Sequence, residues 1–301
     1  MIIRENEPMA LHTSFKAGGD TRYFIKVENL DELKESLDFA RENGLPHFIL
    51  GNGTNLLVSD SGFDGVIITL SGDFSNIETI NPLKFKVGAA VPLGRFSRTT
   101  ITQGIEGIHK LAGIPGTIGG AIYMNAGAYG QEIGTYCTQV TTLDAHGEIR
   151  NYPASQCEFG YRQSAFQKKP EETVLFAEFE FPPEAKTRTV GELEAELQEC
   201  MTKRRATQPL NMPNAGSTFK RLKTGNGKTP EQVSPGYYIE QAGLKGLRIG
   251  GAEVSTLHAN FIVNAGGATA KDIRTLAEYV QKKVFEKFGI RLELEIIILG
   301  K

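Results

Sequence analysis

The sequence predicts an α+β fold, and three observations carry that expectation. Amphipathic helical segments and short apolar strand segments are mixed along the chain without the strict alternation of a parallel β-α-β sheet. The chain has 301 residues, enough for two domains with real hydrophobic cores. One break stands out, Pro182-Pro183 followed by the polar run EAKTRTV. It divides the chain into residues 1–184 and 185–301.

The elements follow in order. In DELKESLDFARENG, Leu33, Leu37 and Ala40 share a helical face, and Gly44 is a stop signal. HFIL (His47–Leu50) and VIITL (Val66–Leu70) read as strands, as does KFKVGAA from Lys84. PLGRFSRTTITQG reads as a helix opening on Pro92, a residue favoured in the first turn. CTQVTTLDAHGEIRNY is a hairpin about Asp144–Gly147, and TVLFAEFEF (Thr173–Phe181) a strand ended by the proline pair. VGELEAELQECMTKRRATQ is a long helix whose inner face is Leu193, Leu197 and Met201. KDIRTLAEYVQKKVFEKF is another helix, and LELEIIILG a terminal strand.

Composition excludes some classes of function. With 40% hydrophobic and 23% charged residues and a net charge of −2, the chain carries no electrostatic footprint for nucleic acid or an anionic membrane. An anionic ligand must therefore meet a local cluster of cations. The three cysteines are odd in number and lack zinc spacing. The five histidines form neither HxH nor HExxH, so no metal site is expected. No leader-like or bilayer-spanning segment is seen, and the expected location is the cytoplasm.

Two glycine-rich segments carry the first functional signal. HFIL runs into Gly51-Asn52-Gly53-Thr54-Asn55, which invites the dinucleotide fingerprint GxGxxG. Leu56 stands where the third glycine belongs, and a strand follows where a helix is required, so that reading is rejected. Two readings remain for the segment: a backbone nest for an anion, with Thr54 and Asn55 as added donors, or a plain tight turn. The second segment is GIPGTIGGAIYMNAGAYG, Gly113–Gly130. Glycine inside regular structure costs roughly 0.5–1 kcal/mol relative to alanine, accepted where backbone turns with positive φ or touches something closely. Packed backbone or a bound ligand both meet that description. Taken together, two such loops would clamp one extended, diphosphate-bearing cofactor. Gly119, Gly120 and Gly127 would allow close approach, while Asn125 and Tyr129 offer hydrogen bonds and a stacking face.

These segments, with Tyr161-Arg162-Gln163-Ser164-Ala165-Phe166, Asn214-Ala215-Gly216-Ser217-Thr218-Phe219-Lys220 and YYIEQAGLKGLRIGGAEVSTLHANFIVNAGGATAKD, occur in one order along nearly the whole chain, from HTSFKAGGD at His12 to the last strand. In that order the sequence resembles the UDP-N-acetylenolpyruvoylglucosamine reductases, within the vanillyl-alcohol-oxidase-like flavoproteins. The resemblance implies a PCMH-like FAD-binding domain over residues 1–184, in two α+β subdomains of about 1–70 and 71–184, and an α+β substrate-binding domain over 185–301. It implies FAD on Gly51, Asn52, Gly53, Thr54, Asn55, Gly119, Gly120, Asn125, Ala126, Gly127 and Tyr129, with NADPH as co-substrate. The implied reaction reduces the enolpyruvyl ether of a UDP-sugar for peptidoglycan synthesis: reduced flavin delivers hydride to the vinyl carbon, and the adjacent carbon is then protonated.

Three catalytic roles come with the resemblance: Arg162 steadies the developing charge, Ser217 donates the proton, and Glu295 assists the enolate. Strand alternation puts Glu293 and Glu295 on a face that turns apolar at Ile297, with Glu293 the solvated neighbour. Tyr161, Arg162, Lys220 and His258 would contact substrate. Lys203, Arg204 and Arg205 form a second basic cluster, one that a helix C-terminus also favours on structural grounds. The sequence departs from the family at Glu295, which lacks the usual preceding proline and following Val-Arg. It departs again after Lys220, where Arg221-Leu222 and the polar stretch TGNGKTPEQVSPG stand. Between Arg162 and Ser217 no further tyrosine occurs, which matches the type without a capping loop. A monomer is favoured. Another flavin oxidoreductase, such as a sugar or alcohol oxidase, and a non-catalytic nucleotide-binding module are the competing readings.

Overall fold

The computed structural model describes residues 1–222 and 233–300. Lys223 and most of TGNGKTPEQVSPG lie outside the described residues. The chain forms two compact units, each discontinuous in sequence: Met1–Arg4, Tyr23–Asn52 and Gly65–Arg204 make the first, and Glu5–Arg22, Gly53–Asp64 and Arg205–Lys301 the second. The α+β class follows from their content. This division differs from a single cut at 184. Leu193 and Leu197 of the long helix pack against Ile101, which keeps that helix in the first unit.

Among the described residues six α-helices are labelled in chain order: α1 Leu30–Glu42, α2 Leu93–Thr102, α3 Ile118–Met124, α4 Val190–Thr207, α5 Pro235–Gln241 and α6 Ala270–Phe288. In the first unit an antiparallel sheet runs in the spatial order Ile149–Pro153, Cys137–Leu143, Thr173–Glu180, Lys84–Gly88, Ile77–Asn81. Phe85 and Val87 alternate inward, as do Ala177 and Phe179, and bury against Phe96 of α2 and Ile118 and Ile122 of α3. The Phe96 and Phe179 rings lie 4.9 Å apart. A second sheet pairs His47–Leu50 in parallel with Val66–Thr69, and Leu33 and Ala40 of α1 pack on its Val66 and Ile68. Asn29 caps α1 by accepting the Glu32 N–H at 2.9 Å.

The second unit packs α6, through Ile273, Leu276, Val280 and Val284, on an antiparallel meander of Arg248–Ile249, Ala252–Val254 and Ile262–Asn264. Leu56–Val58 pairs in parallel with Ile297–Leu299. The N-terminus of α6 is held twice. Thr269 and Asp272 form a capping box, and the Asp60 carboxylate accepts the N–H groups of Ala270 and Lys271 at 2.7 and 2.8 Å.

Three expectations are corrected. Pro92 is the N-cap of α2 and not a first-turn residue. The glycine-rich stretch is only partly loop, because Ile118–Met124 within it is helical. The terminal strand is Ile297–Leu299 alone; a bend at Ile296 ends the alternation that was to run from Glu293 to Leu299.

Candidate active site

Gly51 and Asn52, which open the first glycine segment, meet the second segment within the first unit. The Asn52 carboxamide donates to the Pro115 carbonyl at 2.7 Å, and a Cβ on Gly51 would stand 2.7 Å from Thr117 Oγ1. The strand Leu56–Val58 directly after GNGTN confirms that no dinucleotide-fingerprint helix follows. Among the described residues, the backbone N–H groups of Asn52, Gly53, Thr54 and Asn55 donate to no protein acceptor. Four consecutive donors without a protein acceptor suit an anion-binding turn, and a turn whose amides face water presents them in the same way.

The glycines separate into those that packing requires and one that it does not. A Cβ would lie 2.0 Å from the His12 carbonyl at Gly53, 3.1 Å from Ala89 Cβ at Gly119 and 2.8 Å from the Gln131 carbonyl at Gly127. Gly120 is exposed on α3, and its Cβ position meets only Thr117 Oγ1, at 3.7 Å. Asn125 closes α3 in the left-handed conformation and is 1% exposed. Its carboxamide donates to Glu132 and to the Gly160 carbonyl, both at 2.9 Å, and accepts the Gly134 N–H at 3.0 Å. Ala126 spends both backbone groups on Ala121 and Ile133. These two residues build the wall from within. Tyr129, half-exposed at a φ of 52°, donates its hydroxyl to the Cys200 carbonyl of α4 at 3.1 Å.

Arg162 sits at the tip of a tight hairpin closed by Gly160 and Gln163, with φ at 52°. A bulky residue held in that region is strained, and such positions concentrate at functional sites. The guanidinium donates to the Gly127 carbonyl at 3.1 Å and lies 5.1 Å from the Tyr161 ring centroid. Gln167 grips the Arg162 carbonyl at 3.0 Å and the Tyr123 carbonyl at 2.9 Å, and Ser164 donates to the same Tyr123 carbonyl at 2.7 Å. The motif YRQSAF thus fastens Arg162 to the C-terminal end of α3.

Ser217 and Glu295 meet in the second unit. Phe219 and Leu294 form an antiparallel bridge, the Glu295 N–H donates to the Thr218 carbonyl at 2.8 Å, and the Lys220 N–H to the Glu293 carbonyl at 2.8 Å. Ser217 is half-buried, with no hydrogen bond to its hydroxyl among the described residues. Glu295 is half-buried and Glu293 exposed. The same rung reaches the first glycine segment. Asn55 donates its carboxamide to the Glu295 carbonyl at 3.1 Å and accepts the Ile297 N–H at 2.9 Å. The Asn55 side chain, expected to face a cofactor, therefore also fixes the glutamate.

His258 is held by its neighbours. Nδ1 accepts the Asn260 N–H at 3.2 Å, which leaves the proton on Nε2, and burial pushes the imidazole below its ordinary pKa. Of the cations ending α4, Arg204 stands apart. Burial lowers its pKa, partly offset by Tyr129, and no carboxylate pairs with it among the described residues. Sequence spacing gave no way to choose it from Lys203 and Arg205. Asn260, which pins Phe219 from both sides, was also missed, because a lone asparagine carries no signal in sequence. No group of His, Cys, Asp and Glu able to hold a metal occurs among the described residues.

Comparison with known proteins defines the class first. A family model described as an FAD binding domain matches residues 21–152. The chain is accordingly a flavoprotein. A second model, described as the C-terminal domain of UDP-N-acetylenolpyruvoylglucosamine reductase, matches residues 208–299. The UDP-N-acetylenolpyruvoylglucosamine reductase of Anoxybacillus flavithermus is 39% identical over 299 residues, covering 99% of this chain and 95% of the relative. That of Caldanaerobacter subterraneus is 41% identical over 300 residues, covering 98% and 93%. The crystal structure of the Thermus caldophilus enzyme aligns with a TM-score of 0.79 at 32% identity, covering 99% of this chain and 98% of that one. The chain belongs to the UDP-N-acetylenolpyruvoylglucosamine reductase family. It is a UDP-N-acetylmuramate dehydrogenase, an oxidoreductase using FAD and NADPH that reduces UDP-N-acetylglucosamine-enolpyruvate in peptidoglycan synthesis.

The residues present fit an FAD. The orphan amides of Asn52–Asn55 suit its diphosphate, and the open face of Gly120 suits close approach.

Proposed function

We propose that Arg162, Ser217 and Glu295 carry the reductive chemistry, and that Lys220, Tyr161 and His258 hold the nucleotide-sugar substrate. When bound, the flavin supplies reducing equivalents, accepting them from NADPH and passing them to the terminal carbon of the enolpyruvyl double bond. The chain supplies the rest. Negative charge develops on the carbon beside the carboxylate, and a preorganised cation stabilises it most where water is excluded. The Arg162 guanidinium pairs with that carboxylate and stays protonated throughout. Glu295 shares in stabilising the enolate. Ser217 Oγ releases its proton to the carbon, a weak acid that acts only when closely placed; a positioned proton donor contributes about 10²–10⁴-fold. Lys220 meets the UDP diphosphate, and Arg204 is a second candidate for an anionic group.

The observation that carries this reading is the rung from Thr218 to Glu295, which sets residues far apart in sequence beside one another and next to Asn55. The reading extends to a monomeric, cytoplasmic enzyme of the type without a capping loop. Stopped-flow of Ser217→Ala without oxygen tests it. Flavin reduction by NADPH is expected at the wild-type rate, and reoxidation by the enolpyruvyl substrate about 100-fold slower or worse. Reoxidation at the normal rate removes Ser217 from the mechanism.

A further inference from the structure

We propose that Asn260 is a positioning residue for the Ser217 hydroxyl; the inference rests on Ser217 being the proton donor. Asn260 is 5% exposed, and its carboxamide meets the Phe219 backbone edge-on. Oδ1 accepts the Phe219 N–H at 3.1 Å, and Nδ2 donates to the Phe219 carbonyl at 2.9 Å. One side chain thus offers the donor and acceptor pair that a neighbouring strand would offer. The Asn260 backbone adds a third bond, its carbonyl accepting the Thr218 N–H at 2.8 Å. On the remaining sides the Thr218 carbonyl accepts the Glu295 N–H at 2.8 Å, and Thr218 Oγ1 accepts the Ile262 N–H at 3.2 Å.

The dipeptide after Ser217 is therefore fixed at each backbone polar group and at the Thr218 hydroxyl oxygen, while Ser217 itself is not. Gly216 before it stands at a φ of 78°, where a glycine alone is at ease, and the Ser217 hydroxyl bonds nothing in the described protein. The direction of the hydroxyl is then set from its C-terminal side, by the rigidity of Thr218–Phe219. A weak acid is sensitive to that rigidity, since a displacement of about 1 Å at a reacting group can cost on the order of 10²-fold. Truncating Asn260 also leaves two buried groups of Phe219 without partners, which drives the segment to shift rather than to stay.

The test uses the holoenzyme and both half-reactions, followed anaerobically. In Asn260→Ala, flavin reduction by NADPH is expected within about 2-fold of wild type. Reoxidation by the enolpyruvyl substrate is expected to slow about 10–100-fold, in kcat and not in KM. Asn260→Gln keeps both groups one methylene farther out, so an intermediate loss is expected; it also serves if the alanine variant does not fold. Added to Ser217→Ala, Asn260→Ala should cost nothing further, because it acts only through the serine. Wild-type reoxidation in both Asn260 variants overturns the inference and leaves Ser217 in place. Losses that multiply in the double variant overturn it too, since Asn260 would then act by another route. Wild-type reoxidation in Ser217→Ala is a different failure, that of the proton-donor reading itself.

Discussion

Gly120→Ala separates the two physical reasons for the glycine-rich stretch by giving them opposite signs. Gly120 is the third residue of α3, and a Cβ there meets only Thr117 Oγ1, at 3.7 Å, an ordinary contact. The added methyl therefore strains nothing in the protein. It removes the conformational freedom that glycine loses on folding, which stabilises a helix by about 0.5–1 kcal/mol. For a chain of this size that corresponds to a rise in Tm of roughly 1–2 °C in the flavin-free protein. If FAD lies against the bare backbone, the same methyl intrudes on it, and such overpacking costs about 1–3 kcal/mol, or roughly 5–150-fold in affinity. The assay is a thermal scan of the apoprotein beside an FAD titration followed by flavin fluorescence. Gly127→Ala is the control: its Cβ would stand 2.8 Å from the Gln131 carbonyl oxygen, so it loses stability whether or not flavin is present. A Gly120→Ala protein that is more stable and binds FAD as tightly as wild type would refute the idea that this face receives the cofactor.

Two further perturbations follow from the same geometry. Arg162→Gly relieves the left-handed backbone at a φ of 52° while losing the guanidinium's contacts, those with Gly127 and the Tyr161 ring among them, two effects of opposite sign and each on the order of 1–2 kcal/mol. Urea unfolding should change by less than about 1 kcal/mol while turnover falls by at least about 100-fold; lost stability with retained turnover would mark the arginine as structural. Glu196 in α4 accepts from Lys110, Arg188 and the buried His109, and these partners hold its carboxyl down at about 2. A carboxyl depressed on folding stabilises fully above its unfolded pKa, and that contribution, on the order of 2–3 kcal/mol, disappears as pH falls from about 5 towards 2. Glu196→Gln should flatten the pH dependence of stability over that window, and an unchanged slope would show that the network contributes nothing.

Local pattern made the helices legible. Leu193 and Leu197 fell on the buried face of α4, and the 271–288 pattern gave α6 to within a residue, because a 3.6-residue period is written in the segment itself. The hairpin at Asp144 was legible for a similar reason: its carboxylate accepts the N–H groups of His146 and Glu148 within the turn. What was not legible depends on partners far away in the chain. Asp60 caps a helix that begins at Ala270, and the extended residues around Glu295 are shaped by Thr218 and Asn55 and not by alternation. Lone polar side chains carry no period, so nothing in the sequence distinguishes such a clamp from a surface asparagine. Seven-residue α5 is too short for its pattern to rise above its surroundings.

The glycines illustrate why composition alone left two readings open. Gly53 and Gly127 are needed because backbone already occupies the space a Cβ would take, which is the packing reading. Gly120 and the unsatisfied amides of Asn52–Asn55 are the places where the protein supplies nothing, which is the ligand reading. Packing accounts for the first set, and the proposed cofactor site draws on the second. The packed positions make the surface stiff, and stiffness is what lets the open positions face a cofactor at a fixed distance. Within the first unit Arg162 is tied to Gly127 and, through Gln167, to Tyr123; within the second Glu295 is tied to Asn55. A substitution that loosens a packed glycine should therefore slow the chemistry as well as weaken FAD, whereas one at Gly120 should weaken FAD alone.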